Sequence, residues 1–239
     1  MRRRYPAMTP SPDDLNHPAR RDELEGEGAI RGTARMEAFA DAVFAIAFTL
    51  PVVHIVMPKV ERPGAQLGAD LVHLIPEYGG YLLASAVIGL YWVQHHFSGA
   101  IFRTTGHWFV IATSLFLAAI GFIAFPARVL AEHFPDSAAR PEAAQYWVVA
   151  LAVVSAAWLL KWSVGVHRGH LDPRLERDYV HRLMRNYRLA ALANIAAVIV
   201  VFLHWPSGLL LSGLVMAWLL LPPETPRYTT EAPVVEGEG

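Results

Sequence analysis

The side chains of this chain that could do chemistry are few and unevenly placed. Asp41 lies near the start of an apolar run, Arg35 to Met57, that also holds Thr49, Pro51 and His54. Glu77 opens a second apolar run containing the adjacent pair His95-His96, and His167 and His170 stand in an arginine-rich stretch. An ionised carboxylate near hydrocarbon costs on the order of 3 kcal/mol, so Asp41 has to face protein or water. Metal chemistry fits poorly. Adjacent residues on a helix point about 100° apart, and no Asp or Glu lies one turn from His95 or His96. His167 and His170 have ligand-like spacing but sit in a basic loop. The absence of cysteine removes disulfides, thiolate nucleophiles and thiolate metal sites. An enzyme would want carboxylates, a nucleophile or a His/Asp cluster at one depth, whereas Asp41, Glu77 and the histidines are spread over different depths. No metal and no cofactor is expected.

These residues sit in long apolar runs. Hydrophobic residues make up 54% of the 239 and charged residues only 17%, the profile of a polytopic membrane protein. Residues 1–34 are rich in Arg, Pro, Asp and Glu, lack apolar periodicity and are expected to form a disordered tail. The first apolar run starts only after them, so no cleavable signal peptide is expected. Six spans follow, at about 35–57, 78–102, 108–130, 143–166, 189–204 and 207–222. Pro76-Glu77 suits the start of the second. The last two are short and nearly contiguous, which predicts a tight helical hairpin. Residues 223–239 form an acidic, proline-containing tail, expected to be disordered. The fold class is all-α, with a six-helix transmembrane domain over 35–222.

Orientation follows from the basic residues. With six spans both termini share one side, together with the 103–107 turn and the 167–188 loop. That side receives sixteen of the 20 Lys and Arg, with Arg35 and Lys161 counted as helix-end residues. Both termini are therefore expected in the cytosol of a multi-pass cell-membrane protein. Retention in the cytosol and contact with lipid headgroups account for the arginine-rich loop, so no nucleic-acid partner is needed.

On a helical wheel Ala42, Ile46, Thr49, Leu50 and Val53 fall on one narrow face of the first span, and Asp41, Phe44 and Phe48 cluster opposite. One side is small or aliphatic with a single hydroxyl; the other carries a charge and two rings. Such a helix either lines something on one side and packs on the other, or is an ordinary bundle helix with a paired Asp41. The residues alone leave both open.

Arg35-Met-Glu-Ala-Phe39-Ala40-Asp41 resembles the Arg-x-x-x-Phe-Ser-Asp signature that opens the first helix of the transmembrane protein 175 family, the endosomal/lysosomal potassium channels and their bacterial relatives. The likeness continues through Ala-Val-Phe-Ala-Ile-Ala-Phe-Thr-Leu, recurs at Trp92-Val-Gln-His95-His96 and includes Phe125-Pro126. It covers about residues 30–220. Two departures stand out: Ala40 replaces the motif serine, and Ser114 stands about where relatives often carry asparagine.

The resemblance implies a homotetramer with four copies of the first helix around the pore and no carbonyl-lined filter loop. The constriction would fall on Ile46, with Leu50 and Val53 as further apolar layers and Thr49 supplying a hydroxyl. Arg35, Phe39 and Asp41 belong to the motif, and Arg35 and Asp41 would share a polar network with Trp92 and a histidine of the 95–96 pair. Potassium would be the permeant ion, modestly preferred over sodium, and lipid and further copies of the chain the partners. An aliphatic ring can gate by dewetting. The alternative is a proton channel or proton-coupled transporter using Asp41, although no inverted repeat or pair of broken helices is evident.

Overall fold

The computed structural model describes residues 31–56, 67–222 and 224–229. Among them are eight α-helices: α1 (Ala34–Thr49), α2 (Leu67–His73), α3 (Ile75–Gly99), α4 (His107–Phe122), α5 (Ala124–His133), α6 (Arg140–His167), α7 (Arg177–Leu203) and α8 (Trp205–Leu219). Two short strands, β1 (Arg31–Gly32) and β2 (Thr104–Thr105), pair antiparallel with Arg31 opposite Thr105. The expected tails lie largely outside the described residues. At their inner edges, however, 31–32 form β1, and 224–229 are placed against the bundle.

Local chemistry explains the boundaries. The first span does not stay α-helical to residue 57: at Pro51 it tightens into a 3₁₀ turn, Leu50–His54. Proline has no N–H for the Ala47 carbonyl, and its ring crowds that turn. The third span is broken at Ile123 into α4 and α5, three residues before Pro126, whose missing N–H would have met the Phe122 carbonyl. The 167–188 stretch is only partly a loop. From Arg177 onward it forms the first three turns of α7, because Glu176 and Asp178 favour the positive end of a helix and the arginines are good helix formers.

Four stretches are long and apolar enough to cross a membrane: Ala34–Val53, His107–His133, Arg140–His167 and Arg177–Leu203. A fifth is the pair α2 and α3, bent by 47° at their junction. α8 has 15 residues, below the length of an ordinary span. It turns back along α7 directly after His204, and a Cβ at Gly208 would overlap the backbone of Val201. Helix association in lipid relies on close packing and interhelical hydrogen bonds, and this glycine permits the first.

The core gathers around α6. Trp158 and Trp162 pack edge-on, with ring centroids 6.0 Å apart. Tyr91, Phe116 and Tyr187 close around Trp158, and Phe102 and Tyr187 around Trp162. Hydrogen bonds thread this aromatic mass. The Tyr91 and Ser155 hydroxyls lie 3.0 Å apart, and Asn194 Nδ2 donates to Ser155 Oγ at 2.7 Å. Gln94 Nε2 donates to the Leu219 carbonyl, and Tyr187 donates to Gln94 Oε1. These bonds tie α3, α6, α7 and α8 together, each pairing polar groups that would be costly to bury alone.

Candidate functional site

α1 packs on the bundle by a single seam. Among its sixteen residues only Ala40, Phe44 and Ala47 are buried. Phe44 is the anchor, its ring 5.6 Å from that of His95 and 6.1 Å from that of Phe116. Of the residues expected opposite the apolar face, only Phe44 turns inward; Asp41 and Phe48 lie exposed beside the seam. Ala40, fully enclosed, leaves no room for more than a small side chain where the signature has serine.

The other side of α1 is open. Ile46 and Leu50 are each 55% exposed and Val53 74%, and Ala42 and Thr49 are exposed with them. The Thr49 hydroxyl donates to the Ala45 carbonyl at 2.8 Å, so its proton is committed and its oxygen keeps acceptor capacity. Beside this face, Ile46, Leu50 and Pro51 form one wall of an apolar groove of about 420 Å³, whose other wall includes Gly121, Phe122 and Phe125. Only 17% of the most apolar window of this span is buried, against 33–44% in the three other long apolar stretches, so α1 is the least covered of them.

The two expected supporting histidines separate. Trp92 Nε1 donates to Asp41 Oδ1 at 3.3 Å, and the Trp92 ring stacks on His96 with centroids 5.7 Å apart. Asp41, Trp92 and His96 form one cluster on the exposed flank of α1, one turn below Ile46. Arg35 and Phe39 are exposed toward the same end of the helix. His95 points into the core, where its Nδ1 lies 2.7 Å from Lys161 Nζ. Lys161 also donates to Ser98 Oγ at 3.2 Å, and its ammonium lies 4.6 Å from the centre of the Trp158 ring.

Lys161 is the principal residue that the sequence reading placed differently. It is not a helix-end cation but a fully buried side chain, positioned behind Phe44 through His95. The signal was a lone lysine between Trp158 and Trp162 in an apolar run, since an enclosed cation needs aromatic faces and neutral acceptors. Ser98 supplies one acceptor; its own hydroxyl donates to the His95 carbonyl at 2.6 Å.

At the end of the bundle where α1 begins, the loops are laced together. Arg103 N and Asp172 N donate to the His170 and Ile101 carbonyls. Asp172 is buried and accepts from Arg103 Nε at 3.0 Å and from Arg174 Nη2 at 2.9 Å. Its hydrogen bonds from Arg174, with the Arg103 charge, hold this carboxyl below the usual range. Residues 224–229 lie over these loops: Glu224 pairs with Arg182, and Thr229 N donates to the Arg174 carbonyl.

Comparison with known proteins fits this arrangement. A family model described as the endosomal/lysosomal potassium channel TMEM175 matches residues 35–124, which span α1 to α4. A protein named as a potassium channel in Streptomyces collinus is 32% identical over 187 residues, covering 76% of this chain and 88% of the relative. A second, from Chamaesiphon minutus, is 34% identical over 159 residues, covering 65% and 77%. The crystal structure of a lysosomal potassium-selective channel TMEM175 homolog from Chamaesiphon minutus superposes with a TM-score of 0.67 at 26% identity. It covers 81% of this chain and 98% of that one.

Proposed function

The chain belongs to the TMEM175 potassium-channel family, and on that premise we propose that it conducts potassium through a pore lined by the first helices of four copies. The observation that carries the reading is the lopsided burial of α1: a seam of three residues holds it, and the face bearing Ile46, Thr49, Leu50 and Val53 is open. In a tetramer that face turns to the axis, and neighbouring copies cover the flanks.

Ile46 is the constriction, with Leu50 and Val53 as further apolar layers. Such a ring excludes water and ions together when narrow and readmits both on a slight widening. It offers no oxygen ligand, so the preference for potassium over sodium is modest and arises from pore width and the cost of partial dehydration. The acceptor capacity of the exposed Thr49 hydroxyl supplements it. The chain crosses the cell membrane six times, with α8 as the last and shortest crossing and both termini in the cytosol. The family name supplies the permeant ion; the exposed face supplies the path.

The alternative, proton transfer through Asp41, is disfavoured by the position of that carboxylate, which lies off the Ile46 face and accepts from the Trp92 indole. Purified protein in liposomes separates the readings. Potassium flux faster than sodium flux is expected. Proton movement under a pH gradient without potassium flux would transfer the function to Asp41.

A further inference from the structure

One long face of α7 changes character along its length. Arg177, His181, Arg185 and Arg188 recur at helical spacing, all exposed, and the same face continues through Leu192, Ile195, Ile199 and Phe202, also exposed. On a wheel these eight residues share a sector about 100° wide. The charged part is thus at one membrane face and the apolar part in the hydrocarbon, with the change falling between Arg188 and Leu192. Arg185 and Arg188 lie within about two helical turns of that boundary, the depth of phospholipid phosphates.

The charged part is also a cleft and not merely a convex surface. The four basic residues line a space of about 810 Å³ with His167 of α6 on its opposite wall and Val180 and Met184 in its floor. The acid lining it is Asp172, already occupied by Arg103 and Arg174. Arg182 lies off the stripe and is held by Glu224. None of Arg177, Arg185 and Arg188 has a salt bridge among the described residues.

We propose that this cleft between α6 and α7 is a binding site for one anionic phospholipid, its phosphate held by Arg185 and Arg188 and its acyl chain laid along Leu192, Ile195 and Ile199. Arg177 and His181, further from the hydrocarbon, receive the outer part of the headgroup. The occupant is a lipid because cationic and apolar surfaces meet on one helix face in the order in which a phospholipid presents head and tail. The site stands whichever ion the protein conducts.

The test uses the full-length protein in dodecyl maltoside, with fluorescent short-chain phosphatidylglycerol followed by anisotropy. Binding is expected to be displaced by unlabelled phosphatidylglycerol and not by phosphatidylcholine of the same chain length. At about fivefold per arginine near an anionic surface, Arg185→Gln should weaken binding about fivefold. The triple variant Arg177→Gln, Arg185→Gln, Arg188→Gln should weaken it roughly a hundredfold, and Arg182→Gln should leave it unchanged. Equal displacement by phosphatidylcholine would overturn the proposal. So would displacement by inorganic phosphate at the same concentration, which would make it a phosphate site, or a loss in Arg182→Gln as large as that in Arg185→Gln.

Discussion

Two helices of this bundle carry an ionisable side chain within an apolar span, and they treat it in opposite ways. α6 encloses Lys161 completely between aromatic faces, His95 and Ser98. α1 leaves Asp41 exposed on its flank, with the Trp92 indole as its described hydrogen-bond donor. α6 is packed over much of its circumference, whereas α1 is held by Ala40, Phe44 and Ala47. An enclosed ionisable group on a helix packed over much of its circumference serves the integrity of the chain. A carboxylate and an apolar stripe on a half-covered helix remain open to whatever lies beside the chain. The same division runs through one dipeptide, His95 facing the core and His96 the flank.

Substitutions on the two helices should separate accordingly. Lys161→Ala removes the shared partner of His95 and Ser98 and leaves a cavity, so it should lower stability by about 2–5 kcal/mol, read as thermal unfolding in detergent. Asp41→Asn in the same assay should change stability by less than about 1 kcal/mol; equal losses would erase the contrast. Gly165→Ala on α6 forces a methyl against the rings of Phe102 and Phe109, and overpacking of this kind should cost about 1–3 kcal/mol. Ile46→Asn on the open face should stay within about 0.5 kcal/mol while raising leak and lowering the preference for potassium over sodium in liposome flux. Unchanged currents in a well-folded Ile46→Asn channel would move the constriction elsewhere.

The smallest expected effect concerns pH. Asp172 has its folded carboxyl lowered by hydrogen bonds from Arg174 and by the Arg103 charge. Its contribution to stability is therefore present above the unfolded carboxylate value of about 3.9. It is lost as pH falls through the lower folded value. Asp172→Asn should flatten that acid limb of a stability–pH curve by about 1 kcal/mol or less and leave the neutral region nearly parallel to wild type. An unchanged acid limb would remove Asp172 from the loop lacing.

Much of this was legible in the chain itself. Apolar run length located the four long apolar stretches and the bent α2–α3 pair, and the wheel separated Ile46, Thr49, Leu50 and Val53 from Phe44. The Asp41–Trp92–His96 cluster followed from motif residues that a family likeness had already linked. Lys161 was not legible because counting cations by side of the membrane treats every lysine near a span end as solvated. The start of α7 was missed for a related reason: apolar periodicity stops at Leu189, while helix propensity and a favourable first turn carry the helix back to Arg177. Local signals report water and lipid well; an enclosed polar group is set by partners distant in sequence, such as His95 and Ser98.

The most direct test of a pore on α1 exploits the absence of cysteine. Single variants Ile46→Cys, Leu50→Cys, Val53→Cys and, as a buried reference, Ala40→Cys would be reconstituted in liposomes and exposed to a small thiol-reactive cation during potassium flux. Block at residues 46, 50 and 53 with no effect at residue 40 is the expected result. Rapid block at residue 40 with unaltered flux after confirmed labelling at 46, 50 and 53 would contradict a pore on this face of α1.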